Sequence, residues 1–443
     1  MSLKKYQLDT AENKDFLGRN AGNLLRFGHR FPSPEGGAYY LGDDGTPWKD
    51  RPRETWITSR MVHVYCLGSL LGHPGSEELA DEALQGLTGE LRDIEHGGWY
   101  AGRRADGSIL PDKQCYAHAF VILAASSALL CGRPGASELL EEALDIYDRY
   151  FWNEEEGMSC DTWNTEFTVL DSYRGINANM HTVEAFLAAA DVLEEEKYRV
   201  RAGRIIDRVI GWARENKWRI PEHFTDQWEP DLECSKDRPD DPFKPYGATP
   251  GHGIEWARLI VQWAVSTFGT GAAGSPDFSE SSGQAVPGQT SPGQAAPGQT
   301  SPDQAAPYIE AACCLYDRAV TDGWNADGAP GLCYTTDWRG IPVVHDRMHW
   351  TLAEAINSSA VLYRTTKDPR YEEDYAMFMQ YLDTCVLDHV NGSWFHQLDR
   401  NNRPIGTVWP GKSDLYHALQ AMLIPYSLQT GVSIAPALGK KHL

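Results

Sequence analysis

The sequence predicts an all-α fold, an (α/α)6 barrel of six inner and six outer helices with short β-hairpins at one mouth. Three observations predict it. Apolar helix candidates recur about every 60 to 75 residues once one low-complexity stretch is set aside, a period that calls for a repeat architecture. More charged helix candidates alternate with them, as an outer layer with one solvated face requires. Unusual polar residues fall at the same phase of each repeat, where the apolar helix begins.

Taken in order, the charged helices are expected at 12–26, 76–92, 136–151, 196–216, 308–322 and 371–388. The apolar helices are expected to start near Glu54, Cys115, Asn177, Gly251, His349 and Ser413. The run Ala124-Ala125-Ser126-Ser127 is small on every side, which suits a helix packed all round. Between the two types lie Gly- and Asp-rich stretches: Gly36-Gly37-Ala38-Tyr39, Gly97-Gly98-Trp99-Tyr100 and Asn391-Gly392-Ser393-Trp394-Phe395. Asp44-Gly45 and Asp106-Gly107 read as hairpin turns. From Gly269 to Pro307 the chain is mostly Gly, Ser, Gln, Pro and Ala, with prolines every five residues from Pro287 to Pro307. Such a stretch buries too little apolar surface to offset its ordering entropy, so 269–307 is expected to be a disordered insertion within one domain spanning 1–443.

Composition excludes several classes. The formal net charge of −22 argues against non-specific nucleic-acid or anionic-membrane partners, which need basic patches. The first ten residues are polar and no apolar run reaches a membrane span. Nine cysteines, without a C-x-x-C pair, read as free thiols in a reducing compartment, so a cytoplasmic protein is expected. Trp (15) and Tyr (20) are abundant, which serves either core packing or the flat apolar faces of sugars.

The inner helices should all enter from one end, so their first turns line one mouth. That places Arg60, Tyr116, His118, Asn177 and His181 together with His252, Glu255, His349, Glu354, Tyr416 and His417. No metal motif, phosphate loop, dinucleotide fingerprint or nucleophile elbow accompanies them, so no metal and no cofactor is expected. Acid–base work by histidine remains, because imidazole both takes and returns a proton near neutral pH. His252 follows Pro250-Gly251, with Glu255 one turn on to orient its ring; His417 opens the last inner helix. Removal of a sugar C2 proton needs such a base and donors for the developing enediolate oxygen.

These residues carry a family resemblance. The chain resembles the N-acylglucosamine 2-epimerase superfamily, in its aldose–ketose isomerase branch of mannose and sulfoquinovose isomerases. The motifs are Thr58-Ser59-Arg60-Met61, Tyr116-Ala117-His118-Ala119-Phe120, Asn177-Ala178-Asn179-Met180-His181 with Glu184, and Glu222-His223-Phe224. Pro250-Gly251-His252 with Glu255-Trp256, Trp350 with Glu354, and Trp409-Pro410-Gly411-Lys412 before Asp414 and Tyr416-His417 complete the set. The resemblance implies that His252 shuttles the proton between C1 and C2, and that His417 assists ring opening. His181 would bond sugar hydroxyls; Arg60, Tyr116, Asn177 and Glu255 would bind and polarise the substrate; Trp350 and Glu354 would complete the wall. It implies interconversion of D-mannose and D-fructose through a cis-enediol(ate), by a monomer or homodimer acting on a free monosaccharide. A 2-epimerase, a sulfoquinovose isomerase and, lower, a glycoside hydrolase on the same barrel stay open. Ser413 and Asp414 after Lys412 depart from the sulfoquinovose pattern and favour a neutral hexose.

Overall fold

The computed structural model describes residues 3–269, 304–427 and 429–439. Helices alternate outer and inner along the chain. They are α1 (Ala11–Gly28), α2 (Thr55–Leu70), α3 (Ser76–Thr88), α4 (Cys115–Leu130), α5 (Ala136–Ile146) and α6 (Ile176–Leu193). The second half adds α7 (Glu196–Glu215), α8 (Pro250–Phe268), α9 (Ala306–Gly323), α10 (His349–Thr366), α11 (Pro369–Tyr381), α12 (Tyr416–Leu423) and a short α13 (Ile434–Gly439). Local signals set several starts: Thr10 accepts from the Asn13 amide to cap α1, Asp368 caps α11, and Pro250 opens α8 where no helical N–H is needed. α5 and α11 run on as single π-helical turns, Tyr147–Phe151 and Leu382–Val386, which accounts for the longer helices expected there.

The inner helices α2, α4, α6, α8, α10 and α12 contact one another in sequence, and α12 returns to α2. Each later outer helix packs on the inner helix before it, α3 on α2 through α11 on α10. α1 packs on α12, so the first and last elements close the ring. In α4 every residue from Ala117 to Ala128 is buried, as the small, apolar run requires. One hydrophobic cluster runs from Tyr6 to Leu438 through both layers.

The stretch 270–303, which holds most of the expected insertion, lies outside the described residues. Its expected end is corrected: Ala306 and Pro307 already belong to α9, because a proline in the first turn costs no hydrogen bond. The α13 helix, not foreseen, packs on α2, α4 and α6. Ser433 before it bonds both Gln262 (3.0 Å) and Asp191 (2.8 Å), so this tail covers the barrel end opposite the mouth.

The mouth is built from antiparallel strands of two or three residues. Tyr40–Leu41 pairs with Pro47–Trp48 around Asp44-Gly45, and Gly102–Arg103 pairs with Ile109–Leu110 around Asp106-Gly107. A cation ahead of four inner helices ties down the preceding glycine-rich or proline loop. Arg53 donates to the Gly36 carbonyl (2.7 Å), Lys113 to Gly97 (2.7 Å), Arg347 to Pro330 (3.1 Å) and Lys412 to Gly392 (2.9 Å). Lys113 and Lys412 are fully buried and also grip Asp93 (2.8 Å) and Asp388 (2.5 Å). Both aspartates are held down at about 2; burial pushes them up, but the lysine and nearby backbone amides outweigh it. No described helix is long and apolar enough to cross a membrane, and all nine cysteines are free.

Candidate active site

The first turns of the inner helices converge on one recess, a concave site of the kind that takes small molecules. It is lined by Arg60, Tyr116, Asn177, His181, His252, Glu255, Trp350 and His417, all anticipated from the sequence. Trp56, Tyr334, His396, Trp409 and Asp414 join them, with Pro242, Phe243 and Pro245 from the loop between α7 and α8.

Trp350 packs close to both histidines of interest. Its ring centroid is 5.0 Å from His252 and 5.9 Å from His417. Each histidine is held from behind by a carboxylate. His252 Nδ1 is 3.0 Å from Glu222 Oε2, and His417 Nδ1 is 2.9 Å from Glu354 Oε1. A carboxylate only accepts, so both rings carry a proton on Nδ1 and leave Nε2 as the free basic atom. Burial drives His417 well below the ordinary imidazole range, so it is a neutral ring. His181, 6.4 Å from His417, is pushed down to about 4 by burial, although Glu184 at 3.4 Å pulls the other way.

The expected partner of His252 is corrected. Glu255, three residues on, makes no hydrogen bond to it; both Glu255 oxygens are buried without a hydrogen-bond partner. Glu222 takes that role from the segment before α8. Its carbonyl accepts from the Ile176 amide (3.1 Å), and the adjoining strand His223–Phe224 pairs with Arg174–Gly175, which fixes its side chain at the mouth. Burial and the neighbouring Glu354 raise Glu255 well above the ordinary carboxyl range, so it faces the recess as a neutral acid.

Arg60 lies among aromatic rings, 4.3 Å from the Phe120 centroid and 4.7 Å from Tyr416, and pairs with Asp414 at 2.5 Å. It also donates to the Tyr116 hydroxyl (2.8 Å). Arg60 is thereby a neutralised, rigid donor. His349 and His396 stack face to face, with centroids 3.8 Å apart and planes 6° apart, and burial keeps both neutral.

Three residues of the anticipated mouth stand elsewhere. Glu354 is fully buried one layer below, where it touches His417 and Arg258. Tyr416 is buried and bonds Glu184. His118 lies at the hairpin: its Nε2 accepts from the Trp99 amide at 3.1 Å, close against Gly98, whose positive φ of 69° allows the approach. Glu222 and Asp414 were legible as motif members, but their partners were not. His396 and Phe243 carried no signal, since each sits in a loop outside the helical period.

Two triplets of metal-ligand type occur here, His181–Glu184–Glu255 and Glu255–Glu354–His417, each with donor atoms within 4.8 Å. The Arg258 guanidinium lies among their carboxylates, 3.0 Å from Glu354, 3.6 Å from Glu255 and 3.7 Å from Glu184. A cation therefore already serves these oxygens. A third triplet, Asp327–Cys333–His345, is likewise bonded by Arg347.

The family model for N-acylglucosamine 2-epimerase matches residues 36–276 and 297–421. A D-mannose isomerase of Thermobifida fusca is 38% identical over 97% of each chain. The chain belongs to the N-acylglucosamine 2-epimerase family. Within this family, a D-mannose isomerase of Pseudomonas cannabina pv. alisalensis is also 38% identical, over 91% of this chain and 90% of its own. A solved D-mannose isomerase structure shares the fold, with a TM-score of 0.79 and 24% identity over 93% of this chain and 97% of that one. The expected family and the helical barrel are thus both confirmed.

Proposed function

We propose that this family member is a D-mannose isomerase, interconverting D-mannose and D-fructose through a cis-enediol(ate). The observation that carries the reading is the pair of carboxylate-held imidazoles, His252 and His417, both close to Trp350 in the lining of one recess. The two relatives named D-mannose isomerase at 38% identity support the choice of sugar.

His417 takes the anomeric hydroxyl proton through Nε2 and returns it to the ring oxygen, which opens the ring. His252 removes the C2 proton of the aldehyde form, and electrons flow to O1. Arg60, Tyr116, Asn177, His181 and neutral Glu255 bind the hydroxyls and the developing oxyanion. A proton passes from O2 to O1, and His252 delivers its proton to C1, giving the ketose with atoms and charge balanced. A positioned base contributes about 10²–10⁴-fold. Trp350 and the ring of Trp56 cover the apolar face of the sugar.

Two observations weigh on the other readings. A glycoside hydrolase needs two free carboxyl groups across a cleft. Here Glu222, Glu354 and Asp414 are engaged by His252, His417 and Arg60. A sulfonate needs a free cation, whereas Arg60 is paired and Lys412 is buried on Asp388, away from the recess. A neutral hexose fits this balance. The same reading has the enzyme acting in the cytoplasm as a monomer or homodimer, without metal, cofactor, nucleic-acid or membrane partner.

The test is turnover of D-mannose, N-acetylmannosamine and sulfoquinovose, separately, in deuterated water with EDTA, followed by NMR. Fructose from mannose supports the reading. Glucose alone, or N-acetylglucosamine from the amide sugar, moves the enzyme to the 2-epimerases.

A further inference from the structure

Beneath the recess, on the barrel axis, Arg258 is 3% exposed and faces carboxylates from three inner helices. Glu184 comes from α6, Glu255 from α8 and Glu354 from α10. Tyr416 and His417 of α12 close the cluster. Three carboxylates cannot all ionise around one guanidinium in a dry interior. The geometry shows where charge stays. Glu354 divides its oxygens: Oε2 accepts from Arg258 Nε at 3.0 Å, and Oε1 faces His417 Nδ1 at 2.9 Å. Glu255 has no hydrogen bond and takes the proton.

We propose that Arg258 is a positioning residue for His417: it keeps Glu354 ionised, so that Glu354 holds the ring proton on Nδ1 and leaves Nε2 for proton transfer. The inference rests on the isomerase reading above and deepens it. The physical step is simple. Without the guanidinium, Glu354 gains a proton, becomes a donor toward Nδ1, and drives the His417 proton to Nε2. A ring protonated there cannot accept from the sugar. Wrong-tautomer histidines in comparable triads lose about 10⁴-fold. Arg258 does not itself line the recess and reaches it only through Glu255 and through the Glu354–His417 pair, so its main effect is expected on kcat rather than on sugar binding.

The experiment compares wild type with Arg258→Met, Arg258→Lys and the charge-matched Arg258→Met/Glu184→Gln. Two readouts are taken: the pH profile of kcat with D-mannose, and the ¹⁵N spectrum of the His417 ring, assigned with His417→Gln. Arg258→Met is expected to lower kcat at pH 7 by about 10²-fold or more, with KM within about threefold. Its acid limb should move up by at least one pH unit, and the single Nδ1–H signal should be lost. Arg258→Lys should recover part of both. A folded Arg258→Met with the wild-type tautomer and acid limb overturns the proposal. If that variant does not fold, the double variant, which removes one carboxylate with the cation, decides by the same two readouts. If wild type fails to turn over D-mannose, the isomerase reading fails, and the ¹⁵N tautomer still decides the role of Arg258.

Discussion

Glu222 Oε2 lies 3.0 Å from His252 Nδ1, although the two are separated by 30 residues and belong to different elements. The helix neighbour Glu255 stays unbonded. The contact means that the orientation of the base is set by a loop before α8, not by α8 itself. Glu222→Gln should therefore lower kcat by about 10- to 10²-fold with little change in KM, whereas His252→Ala should lose about 10²–10⁴-fold. Initial rates with D-mannose check both. Full activity in Glu222→Gln would remove it from the machinery.

Metal chelation gives a second prediction. Arg258 occupies the space among the carboxylates that a metal would need. Turnover should survive prolonged dialysis against EDTA, and added Mn²⁺, Mg²⁺ or Zn²⁺ should not raise kcat. Lost activity that one of these ions restores would instead put a metal on Glu255, Glu354 and His417.

Acid should weaken the fold through its buried histidines. His63 and His181 are held near 4 and His118 near 3, in each case by burial. Unfolded histidine has its pKa near 6.5. Above that value neither state binds a proton, and these groups leave stability unchanged. As the pH falls from about 6.5 toward 4, the unfolded chain gains protons that the folded one refuses, so stability drops, by up to about 3 kcal/mol per group. Thermal melts from pH 7.5 to 4.5 should show Tm level down to about pH 6.5 and declining below it, and His118→Gln should flatten that decline. A Tm independent of pH across this range would contradict the buried, neutral assignment.

The buried lysine–aspartate clamps give a fourth prediction. Lys113→Met leaves Asp93 uncompensated in the interior and should cost about 3–5 kcal/mol by urea unfolding. Lys113→Met/Asp93→Asn should recover part of that loss. Equal instability of the two variants would mean that the lysine matters for packing alone. The aspartates themselves carry stability that is full above about pH 4 and lost as the pH falls toward 2, the level to which they are held.

The order of elements was legible because it depends on periodicity. Alternation of one-faced and all-apolar helices placed all twelve barrel helices within a few residues, and common phase placed Arg60, His181, His252 and His417 in one mouth. Trp and Tyr usage left two readings, and both occur: Trp99, Trp256 and Trp394 are fully buried, while Trp56, Trp350 and Trp409 line the recess. Phase also misplaced His118, since a residue at the start of a helix can turn outward to a hairpin amide.

By itself, then, the sequence determined which helices form, which face of each is buried and which residue types meet at one end, because all three follow from local pattern. Tertiary structure alone decided who holds whom. Glu222 on His252, Glu354 on His417, Asp414 on Arg60 and Arg258 among three carboxylates are contacts between distant elements. Their physical basis is the desolvation of charge in a closed barrel, which leaves each buried ion bound to whichever partner the ring geometry brings within reach.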